Sequence, residues 1–178
     1  MTMKRVADEL GSGTMSLYRH IVDRDDLVMA MVDAIGSRVE HPQPQASPSD
    51  ELVAIYGTFY TNFRREPWLV RCLVEGHQGS SHILPLVERA VIALEKLGFK
   101  DHEVWQMFDL LTHYTYGEVL VREGEEQQLR RAPDRQPNMD MLRNYPAILR
   151  SVAAAILGDR SLASFETNIR RLLGNLKS

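Results

Sequence analysis

The chain has 178 residues, enough for one sizeable domain or a small domain beside a larger one. Hydrophobic side chains make up 44% and charged ones 25%, a globular rather than a disordered balance, and no apolar run reaches the roughly 18 residues of a membrane span. A net charge of −3 gives no hint of phosphate binding, and the single cysteine, Cys72, excludes an internal disulfide and a cysteine-built zinc site.

Gly and Pro are absent from residues 2–10, where Val6, Ala7 and Leu10 recur at helical spacing, and Gly11 supplies the left-handed residue that ends a helix. A second short helix is predicted over Thr14–Ile21. Asp23 caps a third, with Asp26 completing a short capping box and Leu27, Met31, Ala34 and Ile35 as its buried positions. His41 to Asp50 contains Pro42, Pro44 and Pro48 and reads as a linker. Ser47 as N-cap, Pro48 at the first helical position and Asp50 restart a helix bearing Leu52, Ile55, Tyr56, Phe59, Tyr60 and Phe63. Pro67 opens the next, through Trp68, Leu69, Cys72 and Leu73, until Gly76 and Gly79 break it.

Further helices are predicted from about Ser81 to Leu97 and from Asp101 to Glu123. A polar stretch with Gly124, Pro133 and Pro137 leads to a short helix near Pro146–Leu157 and a last one over Ser161–Leu176. No segment alternates with period two over strand length, so the fold class is all-α. Three parts are expected: residues 1–40 as a helix-turn-helix with a connecting helix, 41–50 as the linker, and 51–178 as a larger helical domain.

A helix, a glycine turn and a second short helix is the layout of a helix-turn-helix, whose second helix reads base edges in a major groove. The residues give more than the layout. Ala7 to Gly11 spell Ala-x-x-Leu-Gly, six residues separate them from Tyr18-Arg19-His20, and Arg24 follows four places further on. This string resembles the signature of the TetR family of bacterial transcriptional regulators. The resemblance implies a ligand-responsive DNA-binding repressor, a homodimer acting in the cytoplasm on double-stranded operator DNA and released by a small apolar or aromatic molecule. It implies that Thr14, Met15, Ser16 and Arg19 lie on the outward face of the recognition helix: Arg19 could bond a guanine, Ser16 offers one adaptable bond, and Met15 can meet a thymine methyl. Tyr18, His20 and Arg24, with Thr2 and Lys4, are placed for phosphates; Tyr18 and His20 could instead pack between helices.

Ser12 and Gly13 depart from the family pattern after the turn glycine and imply a looser turn. The family also places another helix, often with a basic arm, ahead of the segment beginning at Thr2; either the sequence is a fragment or renumbered, or the three-helix unit lacks its first member and binds DNA poorly. Residues 1–40 carry five basic and seven acidic side chains. That balance keeps a second reading open, a dimeric helical ligand-binding protein that has lost DNA binding.

The last helix sets Leu162, Phe165, Ile169, Leu172 and Leu176 at steps of three and four, a candidate dimer seam. The helix from Asp101 has two apolar stripes, Val104, Met107, Leu111, Tyr114 and Val121 on one, Trp105, Phe108, Thr112, Thr115 and Val119 on the other. The resemblance implies that both helices pair with their mates in a twofold bundle; an intramolecular core is the alternative. The aromatic load of Tyr56, Phe59, Tyr60, Phe63, Trp68, Trp105 and Phe108 falls where the resemblance implies a ligand pocket, with Asn62, Thr112 and His113 as candidate orienting groups, although for any single aromatic the core is the better reading. The histidines show no metal-ligand spacing, so no metal or cofactor is expected. No phosphate-cradling loop or nucleophile motif appears, and an enzyme is not expected.

Overall fold

A computed structural model describes residues 3–9, 11, 14–17, 19, 21–132, 141, 143–149, 151 and 161–175, and every regular element among them is helical. The first corner is made by a glycine. Helix α1 (Met3–Glu9) ends where Gly11 adopts φ +61°, a conformation that strains other residues, with its N–H on the Asp8 carbonyl at 3.1 Å. Helix α2 is described as Thr14–Leu17, shorter than predicted: the Arg19 N–H reaches back three residues to Ser16 in a turn. Helix α3 (Arg24–Gly36) starts at the Asp23 cap, whose carboxylate accepts the Asp26 N–H at 2.9 Å; Asp26 reaches back to the Val22 N–H at 2.9 Å, one residue before the cap.

The buried face of α3 differs from the prediction. Val28, Val32 and Gly36 are buried, Leu27, Met31 and Ile35 half-buried, and Ala34 exposed. Periodicity gives the spacing of a stripe but not its phase, which is chosen by the partners; here Val28 and Val32 cluster with Leu69, Trp68 and Cys72.

The remaining elements are α4 (Pro48–Arg65), α5 (Pro67–Val74), a 3-10 turn at Ser81–Ile83, α6 (Leu84–Lys96), α7 (His102–Arg131) and α8 (Leu162–Asn175). Ser47 caps α4 as expected, its hydroxyl accepting the Asp50 N–H at 3.0 Å. The proline segment before it is firmly tied. Arg89 of α6 donates to the Glu51 carboxylate (2.6 Å) and the Pro42 carbonyl (2.8 Å), and Glu51 accepts the Gln45 N–H (2.7 Å). Helix α4 is the hub of the core: Leu52, Ile55 and Tyr56 are fully buried, and α6, α7 and α8 all pack on it.

Two predicted elements change at their ends or faces. Helix α7 runs past Gly124 to Arg131, eight residues beyond the predicted Glu123, because its last turns are anchored from outside by ion pairs Arg71–Glu123 and Arg64–Glu126. Its buried stripe is Val104, Met107, Leu111, Thr115 and Val119, drawn from both predicted stripes, whereas Trp105 and Val121 are exposed. In α8 the predicted dimer seam is corrected at two positions. Phe165 and Ile169 are fully buried inside their own chain, Phe165 stacking between Tyr60 (4.3 Å) and Tyr114 (5.6 Å), so neither can meet a mate. Leu172 is half-buried, Leu162 is exposed, and Leu176 lies outside the described residues. The helix near Pro146 is described at 146–149 and 151 only.

Candidate functional site

Helices α3 to α7 and the loop between α5 and α6 leave space between them, α5 contributing Leu69 and Leu73. Helix α4 contributes Tyr56, Phe59, Asn62 and Phe63; α7 contributes Phe108, Thr112, Thr115 and Tyr116; α3 closes one side with Val32, Ile35 and Gly36, and the segment from Gln78 to Val87 another. The cavity measures about 570 Å³, within the range of about 300–1,000 Å³ typical of small-molecule sites.

Six of the ten residues predicted for a ligand pocket line this cavity: Tyr56, Phe59, Asn62, Phe63, Phe108 and Thr112. The other four do not. Tyr60, about 100° round α4 from Phe59, stacks on Phe165 instead. The Trp68 indole N–H donates to Glu66 at 2.8 Å, and its ring packs on the α3 cluster. Trp105 is exposed and touches Phe108 edge-on at 5.5 Å. His113, one residue and about 100° round the helix from Thr112, is exposed. Residue type marked all four as candidates, and only the phase of each helix removes them. The α3 wall and the loop from Gln78 to Ser81 were missed; the apolar residues of α3 were visible in the sequence, but nothing local to them says what they face.

The polar groups of the cavity are few and largely committed. The Tyr56 hydroxyl donates to the Phe108 carbonyl (3.0 Å) and lies 3.4 Å from Thr112 Oγ1. Asn62 Nδ2 donates to the Thr58 carbonyl (2.8 Å), and Thr115 Oγ1 to the Leu111 carbonyl (2.7 Å). Burial pushes the hydroxyls of Tyr56 and Tyr116 above the usual tyrosine range, so both stay neutral. Among the described residues no three His, Cys, Asp or Glu side chains gather as a metal site.

The joint between α3 and the cavity loop is tight. A Cβ at Gly36 would stand 2.3 Å from Ser80 Cβ, so only glycine lets the two backbones approach this closely. Ser80 Oγ donates to Asp33 Oδ1 at 2.7 Å, and the other Asp33 oxygen lies 3.7 Å from His82 Nε2.

At the other end of the chain, Met15, Ser16, Arg19 and Arg24 are all exposed, Met15 at 79%. Thr2, Tyr18 and His20, and the side chains of Lys4 and Thr14, lie outside what is described.

With this geometry in hand, the likeness to known proteins has a place to attach. A family model described as "Tetracyclin repressor-like, C-terminal domain" matches residues 41–178. The "HTH-type transcriptional repressor DrrR1" of Streptomyces coeruleorubidus is 25% identical over 139 residues, 74% of this chain but 49% of the relative, so the chain spans about half that protein's length. The "Tetracycline repressor protein class C" of Escherichia coli is 24% identical over 184 aligned positions, covering 99% of this chain and 81% of the relative. Among solved structures, the Streptomyces coelicolor TetR family protein ActR in complex with actinorhodin matches with a TM-score of 0.73 at 23% identity, covering 99% of this chain and 86% of that one. At that identity the structural likeness speaks for the fold.

Proposed function

The chain belongs to the TetR family, and from that premise we propose that it is a cytoplasmic, homodimeric repressor that leaves its operator DNA when a small apolar or aromatic molecule enters the cavity. One observation carries the reading: α3 follows directly on the segment proposed to read DNA and also forms a wall of the cavity through Val32, Ile35 and Gly36. Any molecule that favours one position of α3 therefore favours one position of the reading segment, and an equilibrium between two such positions is shifted by the ligand's preference for one of them. This agrees with the names of the relatives, one a transcriptional repressor and another crystallised with actinorhodin.

In this scheme Thr14, Met15, Ser16 and Arg19 meet base edges, and Thr2, Lys4, Tyr18, His20 and Arg24 hold phosphates. The dimer forms along the uncovered face of α7. Leu110 and Val121 are exposed there, and Cβ atoms added at Gly117 and Gly124 would meet nothing within 4 Å, which leaves room for a second helix to approach. Leu162 on α8 is also exposed, at 40%. Two weak reading heads joined at a fixed spacing bind far better than one.

The test is a gel-shift titration against the gene's own upstream region at constant low salt. Wild-type protein binds, and Arg19→Ala loses about 1–3 kcal/mol, roughly five- to 150-fold, with its helical circular dichroism unchanged. The acidic balance of residues 1–40, five basic against seven acidic, favours one rival: a dimer that binds ligand but not DNA. No shift at any protein concentration, from protein that is dimeric and takes up ligand, selects that rival.

A further inference from the structure

The cavity wall is unusual in what it lacks. Among its described residues there is no Asp, Glu, His, Cys, Lys or Arg. Several ionic groups beside the lining residues are occupied: Asp33 accepts from Ser80 and faces His82, and Arg64 and Arg71 are paired with Glu126 and Glu123. An ionised ligand would lose its water and find no opposite charge among the described wall residues, a loss that hydrophobic contact does not restore. A metal chelate fares no better, because the described wall residues supply no carboxylate, imidazole or thiolate to hold its cation, only hydroxyls and amides.

What the wall does offer is aromatic surface and a small set of neutral hydrogen-bonding groups. Tyr56 packs edge-on to Phe59 (5.7 Å, 88°), and Phe63 edge-on to Tyr116 (5.5 Å, 71°), so four rings lie in two interlocked pairs. The Tyr116 hydroxyl makes no hydrogen bond among the described residues and is free to donate. Asn62 spends an N–H on Thr58 and keeps its carbonyl oxygen as an acceptor. Both residues sit on the α4–α7 side, where they can meet a polar edge of a ligand.

We infer that the effector is a neutral, metal-free aromatic molecule of two or more rings, bearing a carbonyl or hydroxyl that meets Tyr116 and Asn62, and that ionised molecules of the same shape are rejected. This rests on reading the cavity as the effector site, and the experiment separates the two statements. The probes are N-phenyl-1-naphthylamine and 1-anilinonaphthalene-8-sulfonate, one ring skeleton without and with a negative charge, both fluorescent in apolar sites. Full-length protein is titrated with each at neutral pH, with and without magnesium chloride.

The neutral probe is expected to bind roughly tenfold or more tightly than the sulfonate, with no response to magnesium. Val87→Trp, which crowds the cavity, weakens its binding at least several-fold, and Asn62→Arg, which installs a cation, reverses the preference. If the sulfonate binds as tightly as the neutral probe and Val87→Trp weakens both, the cavity stands as a site and the inference about ligand class is overturned. If binding ignores both substitutions, or neither probe binds, the cavity is not the effector site and both statements fall. Should Val87→Trp not fold, Asn62→Arg localises the probes by itself, since it changes their order only from within the cavity.

Discussion

Replacing Gly36 by alanine puts a number on how closely α3 is held to the cavity loop. The added Cβ would stand 2.3 Å from both Cβ and Oγ of Ser80, about 1 Å inside the 3.4 Å at which ordinary contact begins. Ser80 Cβ is one bond from the backbone, so no rotamer relieves the clash and either the helix or the turn must move. Overpacking of this kind costs about 1–3 kcal/mol. The Ser80–Asp33 hydrogen bond (2.7 Å) is strained in the same movement, at a further cost of about 1 kcal/mol. Alanine is the better helix former by about 1 kcal/mol in a helix interior, and by less at the last helical position that Gly36 occupies.

The net expectation for Gly36→Ala is a loss of about 1–3 kcal/mol in urea unfolding of the whole chain. Ser80→Gly removes both clashing atoms, so the double variant should recover much of that loss, a coupling of about 1–2 kcal/mol. In the gel shift, Gly36→Ala without ligand should weaken operator binding, because it displaces α3 and with it the segment proposed to read DNA. An alanine variant as stable as wild type, or one whose effect simply adds to that of Ser80→Gly, refutes the argument that this joint is close-packed.

Glu51→Gln should cost about 2–3 kcal/mol, below the 3–5 of a fully buried pair, because Arg89 and Glu51 keep 24% and 12% of their side-chain exposure. Burial alone would raise the Glu51 carboxyl, but the Arg89 guanidinium and the Gln45 N–H outweigh it and hold the group below its ordinary 4.5. A depressed folded value means stability that is complete above the unfolded value and is lost as pH falls through the folded one. Urea midpoints followed from neutrality into acid should therefore drop steeply below 4.5 in wild type and less steeply in Glu51→Gln; parallel curves would rule this out. Asp50, lowered by Ser47 and Arg170, adds to the fall in the same direction.

Phe165→Ala should cost about 3–5 kcal/mol by emptying the stack between Tyr60 and Tyr114. Because that stack lies within one chain, the loss in Tm should not change with protein concentration; a concentration-dependent loss would return Phe165 to the dimer seam.

Local features were legible before any coordinates. The Gly11 corner, the Asp23 cap and the Ser47–Pro48 start of α4 all depend on residues within one turn of each other. Hydrogen bonds and φ preferences at that range are written in adjacent letters, as is the motif from Ala7 to Arg24. Four of the cavity residues were reached from aromatic content at helical spacing, and Asn62 and Thr112 from the polar groups beside them.

What lay beyond reach was the phase of each helix. Tyr60 and Phe165 turn away from cavity and mate to stack on each other, 105 positions apart in the chain. Helix α7 continues through Gly124 because Arg64 and Arg71 hold it from outside. The composition of α3 announced a buried stripe, but only packing decided that Val32, Ile35 and Gly36 line the cavity. Period and capping are properties of a segment alone; which side turns inward, and what volume is left between the elements, is settled by partners brought together from distant parts of the chain.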